Sequence, residues 1–235
     1  MAVTRSLYFS NGDVAATREV IDSILEIKTT HEDLGASGVA LWFEHTGRNF
    51  GALELISSFH SYAHMGEVTK QFRNLPGAVG RRDLVSSPVQ LSSSWNCDIA
   101  WLFGRKWTEL DEAELEQISI FVEYPINIAA ELKPFSAEKF NVIDVLQPLA
   151  EIAAAEGGFA GFRNITSGSL PGGGELVNYS SVFDLFFKDW PAYERTLGSL
   201  SNASILTDLA RRSSTTPFIG SNRIKTRLDI EGHFA

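Results

Sequence analysis

The sequence is poor in cysteine, with Cys97 alone among 235 residues, so no disulfide can form within the chain. That suits a reducing compartment, and any zinc centre would have to be assembled largely from histidine and carboxylate. Long apolar runs are also missing: none approaches the ~20 residues needed to cross a bilayer. The opening stretch Met1 to Ser10 has no apolar core of the kind a secretory signal carries. A cytoplasmic protein without a membrane partner is the expectation. Positive charge is in deficit, with 20 Lys and Arg against 29 Asp and Glu and a net charge of −9. An acidic surface repels phosphate backbones, which argues against nucleic acid as a partner. The basic residues that do cluster, Arg81-Arg82, Arg211-Arg212 and the alternating Arg223, Lys225 and Arg227, read as solvated surface.

Apolar residues at 44% and charged residues at 21% place the chain among ordinary globular proteins. It is long enough to bury a core without staples. An internal repeat organises it. Val20-Ile21-Asp22 matches Val142-Ile143-Asp144, Gly38 to Phe43 matches Gly158 to Arg163, and Glu54-Leu55-Ile56 matches Glu175-Leu176-Val177, in order and at offsets of roughly 120 residues.

Each half then reads as the same series of elements. In the first half a strand covers Arg5 to Ser10, and Asn11-Gly12-Asp13 opens a helix to about Leu34 with Val20, Ile21, Ile24, Leu25 and Ile27 at helical spacing. Gly35 suits its C-terminal cap. Strands over 38–44 and 52–59 flank a hairpin turn at 46–49, a helix covers 62–73, and a last strand covers 98–103. Thr108 to Gln117 is the candidate connector. The second half is expected to run strand 127–132, a helix capped by Ser136 and kinked at Pro148, strand 158–165, a Gly/Ser loop 167–174, strand 175–183, helix 188–199 and strand 219–228. The fold class is therefore α+β, two tandem ferredoxin-like β-α-β-β-α-β repeats, with residues 1–107 the first, 108–123 the connector and 124–235 the second. Leu41, Trp42 and Phe43 are consecutive, so both faces of their strand must be covered. The other repeat's sheet, packed face to face, is the natural cover.

This plan resembles the dimeric α+β barrel superfamily, which includes antibiotic-biosynthesis monooxygenases, stress-responsive barrel proteins, haem-degrading monooxygenases and the duplicated chlorite dismutases. The local stretch closest to it is Phe187-Lys188-Asp189-Trp190-Pro191-Ala192-Tyr193-Glu194, while the first half has Tyr62-Ala63-His64-Met65-Gly66-Glu67 in the aligned place. The resemblance implies a pocket between sheet and helices in each repeat, and substrate activation without metal or flavin, hence no cofactor. It also implies either a barrel completed within one chain or a homodimer. One fold hosts many functions, so it fixes no particular activity.

The residues offer several candidates for chemistry. His60 and His64, four apart, would share a helix face and could serve a substrate oxygen, a metal or haem. No histidine lies between Phe121 and Leu228, which argues against haem held in the second repeat as the chlorite dismutases hold theirs. Glu44 and His45 alternate faces, so one of them at most enters a pocket. Arg163, Asn164, Asn178 and Tyr179 are polar in apolar strands, and Arg163 and Asn178 could polarise a carbonyl or phenolate oxygen. Trp42, Trp101, Trp190 and Tyr193 are candidates to line a site for a flat apolar compound, with core packing the plainer role. Ser169 to Gly174 lacks the lysine of a phosphate loop, and Ser136 to Lys139 lacks the companion motifs of acyl enzymes. The leading expectation is a cofactor-independent oxygenase, cyclase or isomerase acting on a small apolar, aromatic or polyketide-like molecule. The alternatives are a non-catalytic binding or stress-associated barrel protein, and a haem protein using His60 or His64.

Overall fold

The computed structural model describes residues 3–10, 18–46, 51–75, 90–103, 112–126, 142–169, 181–202 and 222–230. The chain divides into two compact units. The first contains residues 1–99, 165–176 and 225–235, and the second contains 100–164 and 177–224.

The first unit is built from β1 (Val3–Ser10), α1 (Arg18–Asp33), β2 (Ser37–Glu44), β3 (Leu53–Phe59), α2 (Tyr62–Asn74) and the larger part of β4 (Gln90–Phe103). Its centre is β3, antiparallel to β1 from Val3↔Phe59 to Phe9↔Leu53 and to β2 from Ala40↔Ile56 to Phe43↔Leu53. β4 pairs with the free edge of β1. Lys225 to Arg227, from the last strand (Arg223–Arg227), pair with the free edge of β2. Alternation decides the faces. Leu53, Leu55 and Phe59 join Leu41, Val39 and Phe9 against Val20, Ile21 and Ile24 of α1 and Val68 of α2. Glu54, Ile56 and Ser58 point away from the helices, yet they too are buried. α1 ends where Gly35 takes φ +96°, a left-handed conformation that places its N–H 2.8 Å from the Glu32 carbonyl.

In the second unit, β5 (Ile120–Ile126), α4 (Val142–Ala155), β6 (Phe159–Ser169), β7 (Ser181–Phe187) and α5 (Trp190–Asn202) follow a five-residue helix α3 (Glu112–Glu116). β7 is central, antiparallel to β5 from Ile120↔Phe187 to Ile126↔Ser181 and to β6 from Phe159↔Phe186 to Asn164↔Ser181. Ile120, Val122, Ala160, Phe162, Phe183, Leu185 and Phe187 pack on Leu146, Leu149, Ala150 and Ala153 of α4 and Ala192, Tyr193 and Leu200 of α5. The second helix of each unit starts with the same device. Ser61 Oγ accepts from the His64 N–H at 3.1 Å, and Asp189 Oδ1 accepts from the Ala192 N–H at 2.8 Å.

The fold is thus mixed α+β with antiparallel sheet, as the sequence pattern indicates, and several boundaries move. β4 begins at Gln90 where the sequence suggested Asp98, because Ser93 and Ser94, turn-like by composition, pair with β1, and Ser92 sits at a register shift between them and Leu91. The strand expected at 127–132 is instead β5 at Ile120–Ile126, where Ile120, Val122 and Tyr124 alternate with Phe121 and Glu123. Residues 127–132 lie outside the described part. β6 continues through Ser169 into the expected Gly/Ser loop. β7 is Ser181–Phe187, so Glu175-Leu176-Val177, matched to Glu54-Leu55-Ile56 in the sequence, lie outside both it and the described residues. The turn at 47–49, the helix start at 11–17, Ser136 and Phe140 likewise fall outside. α4 runs through Pro148 as a single helix.

Gly158 joins α4 to β6 in close quarters. A Cβ there would lie 2.9 Å from the Phe186 carbonyl oxygen, 3.0 Å from the Ala153 carbonyl and 3.0 Å from the Phe187 ring. Two of those neighbours are backbone and cannot swing aside. Gly158→Ala is expected to destabilise the protein by about 1–3 kcal/mol, read as a lower urea midpoint at unchanged m-value. Gly157→Ala next to it meets nothing within 4 Å, but is strained by its φ of +79°.

Candidate functional site

Each unit carries charge on the sheet face that turns away from its helices. In the first unit that face presents Thr4, Ser6 and Tyr8 from β1, Glu54, Ile56 and Ser58 from β3, and Ala40, Trp42 and Glu44 from β2. All of them are buried. The register sets Tyr8 and Trp42 on either side of Glu54, and Ser6 and Ala40 on either side of Ile56. Lys225 reaches into the group. Its Nζ donates to Glu54 Oε2 and lies 3.0 Å from the Tyr8 hydroxyl and 5.3 Å from the centre of the Tyr8 ring. Tyr8, Glu54 and Lys225 are each 0% exposed. Glu54 Oε1, Ser6 Oγ and Thr4 Oγ1 are buried without any hydrogen-bond partner. A buried polar atom left unmatched costs about 1–3 kcal/mol, so three on one face call for an explanation. Beside them, Arg227 holds Asp229 in a two-pronged pair at 2.8 and 3.2 Å.

The equivalent face of the second unit is differently made. Arg163 donates from Nε to Asp184 Oδ2 at 2.5 Å, from Nη2 to Asp184 Oδ1 at 3.0 Å, and from Nη2 to Glu123 Oε1. Arg223 Nη1 donates to Glu123 Oε2 at 3.2 Å. Two guanidinium groups thus meet two carboxylates, all buried. The Arg163 guanidinium lies 5.4 Å from the centre of the Phe121 ring, which stacks on Phe186 at 4.5 Å. Arg223, Lys225 and Arg227 are therefore not the solvated surface that their composition suggested. Alternation puts all three on one strand face, and each is buried against a carboxylate.

The residues singled out in the sequence separate in space. Arg163 is buried in its carboxylate pairs, and Trp42 is buried on the face that carries Glu54. Tyr193 lies in the helix-side core of the second unit against Phe187, with Trp190, 48% exposed, 6.0 Å away at the start of α5. Burial raises the Tyr193 phenol above its ordinary pKa, and it raises Tyr124 of the same core further, so both remain protonated at neutral pH. Asn178 and the side chain of Trp101 fall outside the described residues. His45 is exposed, 2.6 Å from Thr226 Oγ1, and partial burial lowers its pKa. His60 and His64 stack at 5.3 Å at the start of α2. Two features went unread in the sequence. One is the Tyr8–Glu54–Lys225 group. The other is His31, buried between α1 and Ser57 (Nδ1 to Oγ 2.9 Å) and edge-on to Phe72.

A haem protein would need His64 to offer a lone pair to iron. Its Nδ1 accepts the His60 backbone N–H at 3.3 Å. In the neutral ring the proton then sits on Nε2, which faces the turn at Gly35 and presents N–H where iron needs a lone pair. The ring does not fit that role as placed. Among the described residues no cluster of three or more His, Cys, Asp or Glu is arranged for a metal. No described helix is long and apolar enough to cross a membrane.

No family model matches the chain, and no curated protein matches it. Solved structures do. An anthrone oxidase-like protein shares 12% identity over 97% of this chain and 91% of its own, with a TM-score of 0.53. A protein of Fusobacterium nucleatum subsp. nucleatum assigned as a monooxygenase shares 11% over 97% and 93%, TM-score 0.52. Chlorite dismutase from Candidatus Nitrospira defluvii, in complex with imidazole, shares 10% over 97% and 91%, TM-score 0.51. At such identities the likeness concerns the fold. The chain shares the ferredoxin-like α+β fold of these structures, as the element order indicated.

Proposed function

We propose that the chain is a duplicated α+β barrel enzyme that activates a small apolar, aromatic substrate without a cofactor, and that its reactive site is the Tyr8–Glu54–Lys225 group of the first unit. The order β-α-β-β-α-β occurring twice, with the third strand central each time, supports the duplication. The observation that carries the functional reading is a lysine–glutamate pair buried beside Tyr8 and Trp42, with one carboxylate oxygen unengaged. In this reading Glu54 takes a proton from a CH₂ held between two aromatic rings, and the charge left behind is delocalised onto the oxygen of the carbonyl across the central ring. Lys225 and the Tyr8 hydroxyl then hold the negative oxygen that results. An oxygenase outcome would need only dioxygen as co-reactant. A ring-flanked CH₂ becomes C=O, one atom of O₂ enters the substrate, and the other leaves as water with the two hydrogens. The anthrone oxidase-like neighbour makes a ketone of this kind a sensible first probe.

Oxygen uptake with anthrone tests the reading. Wild type is expected to exceed the uncatalysed rate, and Glu54→Gln, which keeps the hydrogen bond to Lys225 but removes the base, to lose about 10²–10⁴-fold. Uptake no faster than background, or an unaffected Glu54→Gln enzyme, would falsify it. A haem protein is the competing reading, because chlorite dismutases share the fold. The His64 tautomer weighs against it. A Soret band in protein made with haem, lost in His64→Ala, would establish it instead.

A further inference from the structure

We infer that the helix-distal face of the first unit takes a hydroxyl-bearing aromatic ligand, held along one edge by Glu54, Ser6 and Thr4; this deepens the function proposed above and rests on its site. A carboxylate oxygen can only accept, so whatever satisfies Glu54 Oε1 must donate, and an apolar ring or a bare ketone cannot. Ser6 and Thr4 follow Tyr8 at every second position of β1, on the same face, which spaces their hydroxyls by roughly 6–7 Å along the strand. Lys225 already occupies Glu54 Oε2 and approaches the Tyr8 hydroxyl. The unmatched atoms therefore continue as a row from the charged pair along β1. Across from that row Ser58 lies opposite Thr4, and the rest is apolar, with Ile56 opposite Ser6 and Ala40 beyond it, and Trp42 beside Glu54. A polar edge next to an apolar floor fits a flat ring system with oxygens along one side. The second unit is built differently, since its Arg163, Glu123, Asp184 and Arg223 pair with one another.

The full chain should be titrated calorimetrically with two probes, 1,8-dihydroxyanthrone and unsubstituted anthrone, as wild type, Ser6→Ala and Thr4→Val. Wild type is expected to bind the dihydroxy probe at least about tenfold more tightly, a difference of one or two matched hydrogen bonds. Each variant should erase most of that preference and leave the affinity for anthrone unchanged. Without ligand, both variants should melt at or above wild type, since each removes a buried hydroxyl that has no partner. That melt separates a lost ligand contact from a damaged fold. Equal affinity for the two probes would mean that ordered water alone meets these atoms, and would overturn the inference. So would a preference that survives in both variants, or a fall in melting temperature of the unliganded variants. Oxygen uptake is scored separately. Tight binding of the dihydroxy probe without turnover defeats the enzyme and leaves the inference standing. Turnover of both probes without preference does the reverse.

Discussion

Arg163→Met is expected to cost about 3–5 kcal/mol of folding stability. Methionine fills a similar volume, so the loss is not a cavity. It is the loss of the partner that keeps Asp184 and one oxygen of Glu123 matched in a place with 4% exposure or less. Asp184 would then lose the guanidinium it pairs with in its buried place, and Glu123 would retain Arg223 at 3.2 Å. Equilibrium urea unfolding reads the effect as a lower midpoint. Asp184→Asn should cost less, because the amide oxygen still accepts from the Arg163 guanidinium, which keeps Glu123 as a counter-charge. A loss below about 1 kcal/mol for Arg163→Met would mean that water reaches these groups and that the pairs behave as surface ion pairs do. The alternative role, Arg163 polarising a substrate oxygen, predicts the opposite pattern: retained stability with lost turnover.

Much of the architecture was legible because alternation and helical spacing are both strong in this chain. Val20, Ile21 and Ile24 do face the sheet, and Gly35 does cap the helix. The boundaries that moved are those where composition and pairing disagree. Ser93 and Ser94 have turn chemistry, yet β1 supplies a partner for each, and tertiary pairing overrides a weak local preference. The candidate site was less legible. Reading Arg223, Lys225 and Arg227 as solvated followed the general rule for charge. Their spacing of two carried the contrary signal, since it places three cations on one strand face. Glu54, Glu123 and Asp184 alternate in the same way within apolar strands, so an equal supply of misplaced acids was there to be paired with them. No local pattern shows which acid meets which base. Glu54 and Lys225 are 171 residues apart, and only the fold brings them together. The histidines are the reverse case: their helical spacing is a local signal, and it is met by a local arrangement, one ring stacked on the other at a helix start.

The two charged faces therefore differ in kind. The second unit spends its ionic groups on each other and on two stacked phenylalanines, which is how a buried network acts as part of a core. The first leaves three polar atoms unmatched around a single pair. If both were structural, selection for stability alone would favour apolar residues in place of Ser6 and Thr4, because an unmatched buried hydroxyl is worse than a methyl group of the same size. Retaining them makes sense if something else occupies those hydrogen-bonding positions while the protein works.

Lys225→Met separates the two roles within the first unit. Alone, it should destabilise by about 3–5 kcal/mol, because it strands the Glu54 carboxylate in a site with 0% exposure. Adding Glu54→Leu removes the stranded charge, and the double variant should recover most of that stability, since an apolar pair of similar volume is often neutral or better than a buried ion pair. Binding of 1,8-dihydroxyanthrone and oxygen uptake should stay absent in the double variant, even though its urea midpoint returns towards wild type. That split, fold restored and activity not, is what a working site predicts. If the double variant regains turnover, the pair serves only to hold the strands, and the chemistry lies elsewhere. If it remains as unstable as Lys225→Met, the cost arises from the lysine's contact with Tyr8 (3.0 Å to its hydroxyl) and not from the carboxylate, and Tyr8→Phe in the wild-type background would then carry a comparable loss.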